Sequence, residues 1–213
     1  MKKNSIIIGI CGGSGSGKTS VLNGIQSHFA KLKPAAVSLD NYYLPIELQA
    51  KDENGKVNFD LPTALDRNQI RADLDQLLSG QSIEIPEYTF NHVASSRTIH
   101  IAPSKLILIE GLFVMHYREI AELLDISIYV DVCEKMQLER RIERDMIARG
   151  YSKEAIMYQW EQHVLPCYEN YIEPYKKEAT YVVMNDKSLH EMVEESIQLI
   201  ESHPSMVSLL AKT

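Results

Sequence analysis

Residues 12–19 read GGSGSGKT and fit the pattern G-x-x-x-x-G-K-[ST]. An apolar run at residues 6–10 precedes this loop and a helical pattern follows it, which argues against a glycine-rich loop that binds nothing. In such a loop the backbone N–H groups bind phosphate oxygens, the lysine reaches the β- and γ-phosphates, and the last hydroxyl contacts Mg²⁺. The predicted phosphate-binding residues are Gly12, Gly13, Ser14, Gly15, Ser16, Gly17, Lys18 and Thr19.

Two acidic residues stand at the ends of later apolar runs. Asp40 follows residues 35–39 and Glu110 follows residues 106–109. In doubly wound sheets, ligands bind at the carboxyl edge, where both residues would lie. We expect Glu110 to hold Mg²⁺ together with Thr19, and Asp40 to take the proton from an attacking hydroxyl. The alternatives are a helix N-cap or solvated strand end for Glu110 and an ordinary loop start for Asp40.

Four arginines lie within residues 140–149. Arg141 and Arg144 are three residues apart, so they share one face of a helix. Guanidinium groups suit the charge that spreads over a transferring phosphoryl group. We expect another face of this helix to pack on the core through Leu138, Ile142 and Met146. The alternative function of the arginines is salt bridging along the helix, since acidic residues are interleaved with them, and this alternative fits Arg140 well.

Composition limits the class of protein. The chain has 213 residues, of which 45% are hydrophobic and 24% charged, so we expect one domain with a substantial core. A formal net charge of -7 argues against a nucleic-acid partner, because such a surface repels a polyphosphate backbone. No apolar run is long enough for a membrane span. Three widely spaced cysteines fit neither a disulfide framework nor a zinc site, so we expect a cytoplasmic protein.

Strand-like apolar runs alternate with helical patterns along the chain. The alternation predicts an α/β fold with a doubly wound, five-stranded parallel sheet. The predicted strands are residues 6–10, 35–39, 106–109, 126–130 and 181–184. Asp66 with Gln69, and Ser188 with Glu191, have the spacing of helix-capping pairs. The tail from Pro204 carries no informative pattern, and we expect it to be frayed.

Two insertions interrupt the alternation of strands and helices. Residues 82–101 show partial period-two alternation around a polar turn, which predicts a β-hairpin beside the main sheet. Residues 134–175 are predicted to be helical, with Gly150 ending the first helix. We call these segments the hairpin insertion and the helical insertion.

Six segments together resemble the uridine kinase family, also called uridine-cytidine kinases. They are GGSGSGKT (12–19), SLDNYYLP (38–45), VNFDLPTALD (57–66), IPEYTF (85–90), LIEG (108–111) and RRIERDMIARG (140–150), in the order that the family has. The resemblance implies a fold of the P-loop NTPase type and a kinase of pyrimidine salvage. Such a kinase moves the γ-phosphate of ATP or GTP, bound with Mg²⁺, to the 5′-hydroxyl of uridine or cytidine, giving UMP or CMP. The family commonly forms tetramers, so the resemblance also implies a homo-oligomer.

The resemblance implies roles for single residues as well. Asp40 would be the catalytic base, while Lys18 and Arg144 would stabilise the transferring phosphoryl group. Arg149 would help to clamp the phosphates as the helical insertion closes like a lid, and the hairpin insertion would lie over the nucleoside site. Contacts to the nucleoside are implied for Tyr43, Asp60, Tyr88, Phe90, His92, Arg141 and Gln159.

Three positions depart from the family's pattern. Val93 stands where members usually have a histidine, with His92 one position earlier; Tyr151 replaces an arginine; and residues 184–186 replace P-R-G. These departures leave open which base is bound and whether ATP or GTP is preferred. Two alternatives also stay open: a related P-loop kinase for another small hydroxyl metabolite, and a catalytically inactive nucleotide-binding regulator.

Overall fold

The computed structural model of the protein describes residues 5–89 and 97–211, and its central element is a parallel β-sheet. In chain order the described strands are β1 (Ile6–Cys11), β2 (Ala35–Ser38), β3 (Ile83–Pro86), β4 (Thr98–Ile101), β5 (Leu106–Glu110), β6 (Ile126–Asp131) and β7 (Tyr181–Met184). The sheet has the order β2-β5-β1-β6-β7, and each pairing in it is parallel. The predicted α/β class and five-stranded parallel sheet are confirmed, with strand bounds that agree to within one residue.

Helices cover both faces of this sheet. They are α1 (Lys18–His28), α2 (Arg67–Leu78), α3 (Arg118–Ala121), α4 (Glu134–Ala148), α5 (Lys153–Gln159), α6 (Leu165–Tyr171), α7 (Leu189–Ser202) and α8 (Pro204–Leu210). Alternate residues of β1 serve the two faces: Ile7 packs in a cluster with Leu74 of α2, and Ile8 in a second cluster with Ile25 of α1. Because the inner strands β1, β5 and β6 are buried on both faces, they read as nearly continuous apolar runs. Within the described residues, no helix has both the length and the apolar character that a membrane span requires.

Two helices begin as their capping pairs predict. The side chain of Asp66 accepts a hydrogen bond from the backbone N of Gln69 at 3.0 Å. The hydroxyl of Ser188 accepts one from the backbone N of Glu191 at 3.2 Å, and Glu191 Oε2 accepts one from the backbone N of Ser188 at 3.0 Å. These contacts satisfy backbone groups that have no partner inside the helix.

The prediction of a frayed tail was wrong. Residues Pro204–Leu210 form α8, and its side chains Met206 and Leu209 are buried against the core. The helix spans 7 residues, too few for a periodic pattern to stand out in the sequence. Proline at its first position is common at helix starts and could have indicated it.

An antiparallel pair occurs where the sequence predicted the hairpin insertion. Strands β3 and β4 pair Ile83 with Ile101 and Pro86 with Thr98. The predicted site residues Phe90 and His92 lie outside the described residues. The helical insertion contains α4, α5, a π-helical turn at Trp160–Val164, α6 and a 3-10 turn at Glu173–Lys177.

The prediction that an apolar face packs α4 on the core was also wrong. Met146 is 48% exposed, and Leu138 and Ile142 are only half-buried. The buried residues of α4 are instead the polar Gln137, Arg141 and Asp145. A polar helix face can be buried where its charges are paired, and Arg141 and Asp145 form an ion pair at 3.4 Å.

Candidate active site

A cavity of about 350 Å³ lies at the carboxyl edge of the parallel sheet, beside the glycine-rich loop. Residues from the glycine-rich loop, from the segments around Asp40, Asp60 and Glu110, and from the helical insertion line it, so the fold brings most of the predicted site residues into one place. Those that line it are Ser14, Gly15, Gly17, Lys18, Thr19, Asp40, Tyr43, Asp60, Glu110, Arg141, Arg144, Arg149 and Gln159. Gly12, Gly13 and Ser16 belong to the same loop but are buried, and Tyr88 packs on Tyr43 with ring centroids 5.1 Å apart.

The glycine-rich loop, residues 12–19, leads directly into α1. Gly17 caps the helix with a φ of 103°, a left-handed conformation that favours glycine. A Cβ atom on Gly12 would lie 2.3 Å from the carbonyl oxygen of Val130, so only glycine fits there. The first N–H groups of a helix have no intrahelical partner and attract anions. The hydroxyl of Ser16 is buried and has no hydrogen-bond partner among the described residues.

A lysine and two carboxylates interact at one end of the cavity. Lys18 Nζ donates a hydrogen bond to the carbonyl oxygen of Gly13 at 2.9 Å. Burial lowers the pKa of Lys18, and the charges of Glu110 and Asp40 oppose that shift. Glu110 is 4% exposed, and its Oε1 accepts a hydrogen bond from Ser38 Oγ at 2.7 Å. Burial raises the pKa of Glu110, and the nearby charge of Asp40 raises it further.

The two carboxylates come from neighbouring strands. Strand β2 pairs with β5 so that Ser38 lies opposite Glu110. Asp40 follows in the 3-10 turn Leu39–Tyr42, where its side chain is exposed. The parallel register therefore places one acid at the end of β5 and the other just beyond the end of β2. One carboxylate is buried and the other is open to the cavity, an arrangement that lets them serve different tasks.

Arg141 connects three walls of the cavity. Its Nη1 donates to Ser14 Oγ at 3.1 Å, and its Nη2 donates to Gln159 Oε1 at 3.0 Å. Its Nη1 also lies 3.8 Å from Asp60 Oδ1. The guanidinium group thus ties the glycine-rich loop to α5 and to the segment that carries Asp60.

The carboxylate of Asp145 pairs with three arginines. The sequence did not predict this role. Its side chain is fully buried, with Arg144 Nε at 2.7 Å and Arg149 Nη1 at 3.4 Å from Oδ1. Arg141 Nε lies 3.4 Å from Oδ2. Burial lowers the pKa of Arg149, and the charge of Arg144 lowers it further. The spacing of four residues from both Arg141 and Arg149 was the available signal, but it is equally typical of an exposed helix pair.

Replacing Asp145 by alanine is expected to destabilise the fold by about 3–5 kcal/mol, because it leaves buried guanidinium groups without their counter-charge. The free energy of unfolding can be measured by urea denaturation. Asp75→Ala is the matched control: Asp75 pairs with Arg71 at 2.9 Å, but both side chains are exposed, so a loss of at most about 1 kcal/mol is expected. Equal losses for the two variants would contradict this account of Asp145.

Aromatic side chains form another wall near Asp60. The ring of Tyr43 packs on those of Phe59 and Tyr88, with centroid distances of 5.8 Å and 5.1 Å. Phe59 lines the cavity, and so does His163 of the helical insertion; neither was predicted as a site residue. Phe59 stands beside Asp60 in the sequence, which could have suggested it, whereas nothing in the spacing of His163 indicated a site.

Sequence comparisons with known proteins all indicate the same family. A family model described as "Phosphoribulokinase / Uridine kinase family" matches residues 7–189. The uridine kinase of Streptococcus equi subsp. zooepidemicus is 39% identical over 184 residues, which cover 86% of this chain and 88% of the relative. The uridine kinase of Streptococcus agalactiae serotype V is 38% identical over 184 residues, with the same coverage of 86% and 88%.

Solved structures give the same result for the fold. Phosphoribulokinase from Rhodobacter spheroides superposes with a TM-score of 0.66 at 17% identity, covering 90% of this chain and 75% of that one. A protein from Bacillus stearothermophilus, described as a possible uridine kinase, superposes with a TM-score of 0.57 at 19% identity, covering 84% and 88%. At such low identity, these two likenesses concern the fold alone.

Proposed function

Because the chain belongs to the phosphoribulokinase / uridine kinase family, we propose that it transfers the γ-phosphate of ATP or GTP to the 5′-hydroxyl of uridine or cytidine. Membership of this family makes the protein a phosphotransferase with an alcohol acceptor and a nucleotide as phosphate donor. The products would be UMP or CMP, the reaction of pyrimidine salvage. One observation carries the proposal: a single cavity joins the glycine-rich loop to Asp40 and to the pair Asp60 and Arg141.

On the donor side, we propose that residues 12–19 bind the triphosphate. These residues suit a phosphate group for three reasons. The N–H groups at the start of α1 attract anions, Lys18 is positively charged, and the hydroxyl of Ser16 has no partner among the described residues. Thr19 and Glu110 would hold Mg²⁺, since a hydroxyl and a buried carboxylate are oxygen ligands of the kind that this ion takes. When bound, the ion supplies positive charge that offsets the charge of the phosphates.

On the acceptor side, Asp40 is proposed to take the proton of the 5′-hydroxyl. Its carboxylate is exposed at the cavity and lies close enough to Lys18 to affect the pKa of that residue. A base positioned there faces the end of the triphosphate that Lys18 would bind. Arg144 and Arg149 are proposed to clamp the phosphates from the helical insertion, which would act as a lid.

The nucleoside is proposed to lie between Asp60 and the aromatic wall. Asp60 would bind ribose hydroxyls with help from Arg141, which lies 3.8 Å away. Tyr43, Tyr88 and Gln159 would contact the nucleoside from the remaining sides. Phe90 and His92 stay predictions, because both lie outside the described residues. The single domain, the homo-oligomer and the cytoplasmic location also stay predictions.

A nucleotide-release assay tests this function directly. Purified protein with Mg-ATP, and in parallel with Mg-GTP, is offered uridine, cytidine, adenosine, pantothenate, ribulose 5-phosphate and nicotinamide riboside, and diphosphate formation is followed. We expect turnover with uridine or cytidine. Turnover with another acceptor only would overturn the proposed acceptor. No turnover with any acceptor would overturn the kinase reaction and favour an inactive nucleotide-binding regulator.

A further inference from the structure

His163 lines the active-site cavity, yet the function proposed above gives it no role. It lies in the π-helical turn Trp160–Val164, four residues after Gln159, which lines the same cavity. Its side chain is 1% exposed. Short π-helical segments within helices frequently occur at functional sites.

One side of the His163 ring is held by Asp52. His163 Nε2 lies 2.8 Å from Asp52 Oδ2, and the hydroxyl of Tyr158 donates to the same oxygen at 2.7 Å. Asp52 Oδ1 accepts hydrogen bonds from the backbone N of Asn54 at 2.9 Å and of Lys56 at 2.8 Å. These contacts, Tyr158 first, hold the pKa of Asp52 well below its usual value. An ionised carboxylate only accepts hydrogen bonds, so Nε2 of the ring carries a proton.

The other ring nitrogen of His163 lacks a partner. Nδ1 is buried and makes no hydrogen bond to any residue in the ranges 5–89 and 97–211. In a neutral ring with its proton on Nε2, Nδ1 is an acceptor. A buried acceptor without a partner is unfavourable. A donor group of a ligand in the cavity that His163 lines would satisfy it.

The neighbours of His163 belong to the acceptor side of the cavity. The loop that begins at Asp52 leads to Phe59 and Asp60, both of which line the cavity. Gln159, which precedes His163, is hydrogen-bonded to Arg141, the partner of Asp60. The ring therefore adjoins the residues proposed to contact the nucleoside.

We propose that His163 is a further substrate-binding residue: its Nδ1 accepts a hydrogen bond from a ribose hydroxyl of the acceptor, beside Asp60 and Arg141, while Asp52 holds the ring through Nε2. This inference rests on the proposed function, because it takes the acceptor to be a nucleoside. A ribose hydroxyl can donate a hydrogen bond, so it can supply the partner that Nδ1 lacks.

Two variants separate this role from a purely structural one. Asparagine places its amide close to the position of Nδ1, and glutamine places its amide close to that of Nε2. His163→Gln therefore keeps a group for Asp52 but loses the proposed contact, and we expect it to raise the KM for the nucleoside about tenfold, with the KM for ATP unchanged. His163→Asn is expected to raise the nucleoside KM less. His190→Gln, at a side chain that is 79% exposed, is the matched control.

The test depends on which of the two variants has the higher KM for the nucleoside. If His163→Gln binds the nucleoside as well as or better than His163→Asn, the ring serves only Asp52 and the inference is overturned. An equal rise in the KM for ATP would overturn it too, because the effect would then not be confined to the acceptor. Wild-type protein that turns over no nucleoside would refute the proposed function, whereas turnover with the reversed order of variants would refute the role of His163 alone.

A measurement on the unaltered protein covers the case in which the variants do not fold. With ¹⁵N-labelled histidine, the Nδ1 resonance of His163 is expected to move when uridine is added and to stay in place when ATP alone is added. The resonance is assigned by elimination, from the spectra of variants in which each of the other histidines is replaced in turn. An Nδ1 resonance that uridine leaves unmoved at saturation would overturn the inference.

Discussion

Replacing Asp40 by asparagine is expected to lower kcat by about 10² to 10⁴-fold, the usual effect of losing a general base. Asparagine has the same shape but cannot take a proton at neutral pH. Binding of the nucleotide should survive, because the glycine-rich loop and Lys18 are unaltered. Steady-state kinetics with uridine gives kcat, and titration with a fluorescent ATP analogue gives the affinity for nucleotide.

The control for Asp40 is Asp75→Asn, which removes an exposed carboxylate on α2 that does not line the cavity. This variant should retain the wild-type kcat. A kcat of Asp40→Asn within about threefold of wild type would remove Asp40 from the role of base, since such a loss is far below that of general-base catalysis.

Replacing Lys18 by alanine is expected to lower kcat/KM about 10³-fold, through both a higher KM for ATP and a lower kcat. Lys18 is the cation of the glycine-rich loop, and its charge interacts with Glu110 and Asp40. Its loss removes positive charge from the site where the phosphates are proposed to bind. It also removes a positive charge that lowers the pKa of the buried Glu110, so the pKa of that carboxyl is expected to rise further.

Lys31→Ala is the control for this variant, because Lys31 is exposed and does not line the cavity. It should leave both constants at wild-type values. If Lys18→Ala keeps the wild-type KM for ATP, Lys18 does not contribute to nucleotide binding.

Local sequence patterns were sufficient to predict the sheet and the phosphate loop. The inner strands β1, β5 and β6 were predictable because burial on both faces makes each of them a short, nearly continuous apolar run. The loop was predictable because tight turns and close backbone approach require glycine at fixed spacings, as at Gly12 and Gly17. The positions of Asp40 and Glu110 followed from the rule that parallel strands end at a common edge.

Contacts between distant parts of the chain were not predictable in this way. Asp52 and His163 meet although they are 111 residues apart, and neither stands in a pattern that indicates the contact. The buried face of α4 was missed for a related reason. Arg141 and Asp145 look like an exposed helix pair in the sequence, and only the surrounding fold shows that Ser14, Asp60 and Gln159 enclose Arg141.

We propose that a phosphoryl group passes from the nucleotide to the 5′-hydroxyl of a pyrimidine nucleoside within this one cavity. Identification of the products formed from uridine and Mg-ATP, by mass spectrometry and ³¹P NMR, tests it most directly. We expect 5′-UMP and ADP in equal amounts, and no phosphorylated product from 5′-deoxyuridine. Release of inorganic phosphate without a phosphorylated nucleoside, or phosphate on the 2′- or 3′-hydroxyl, would contradict it.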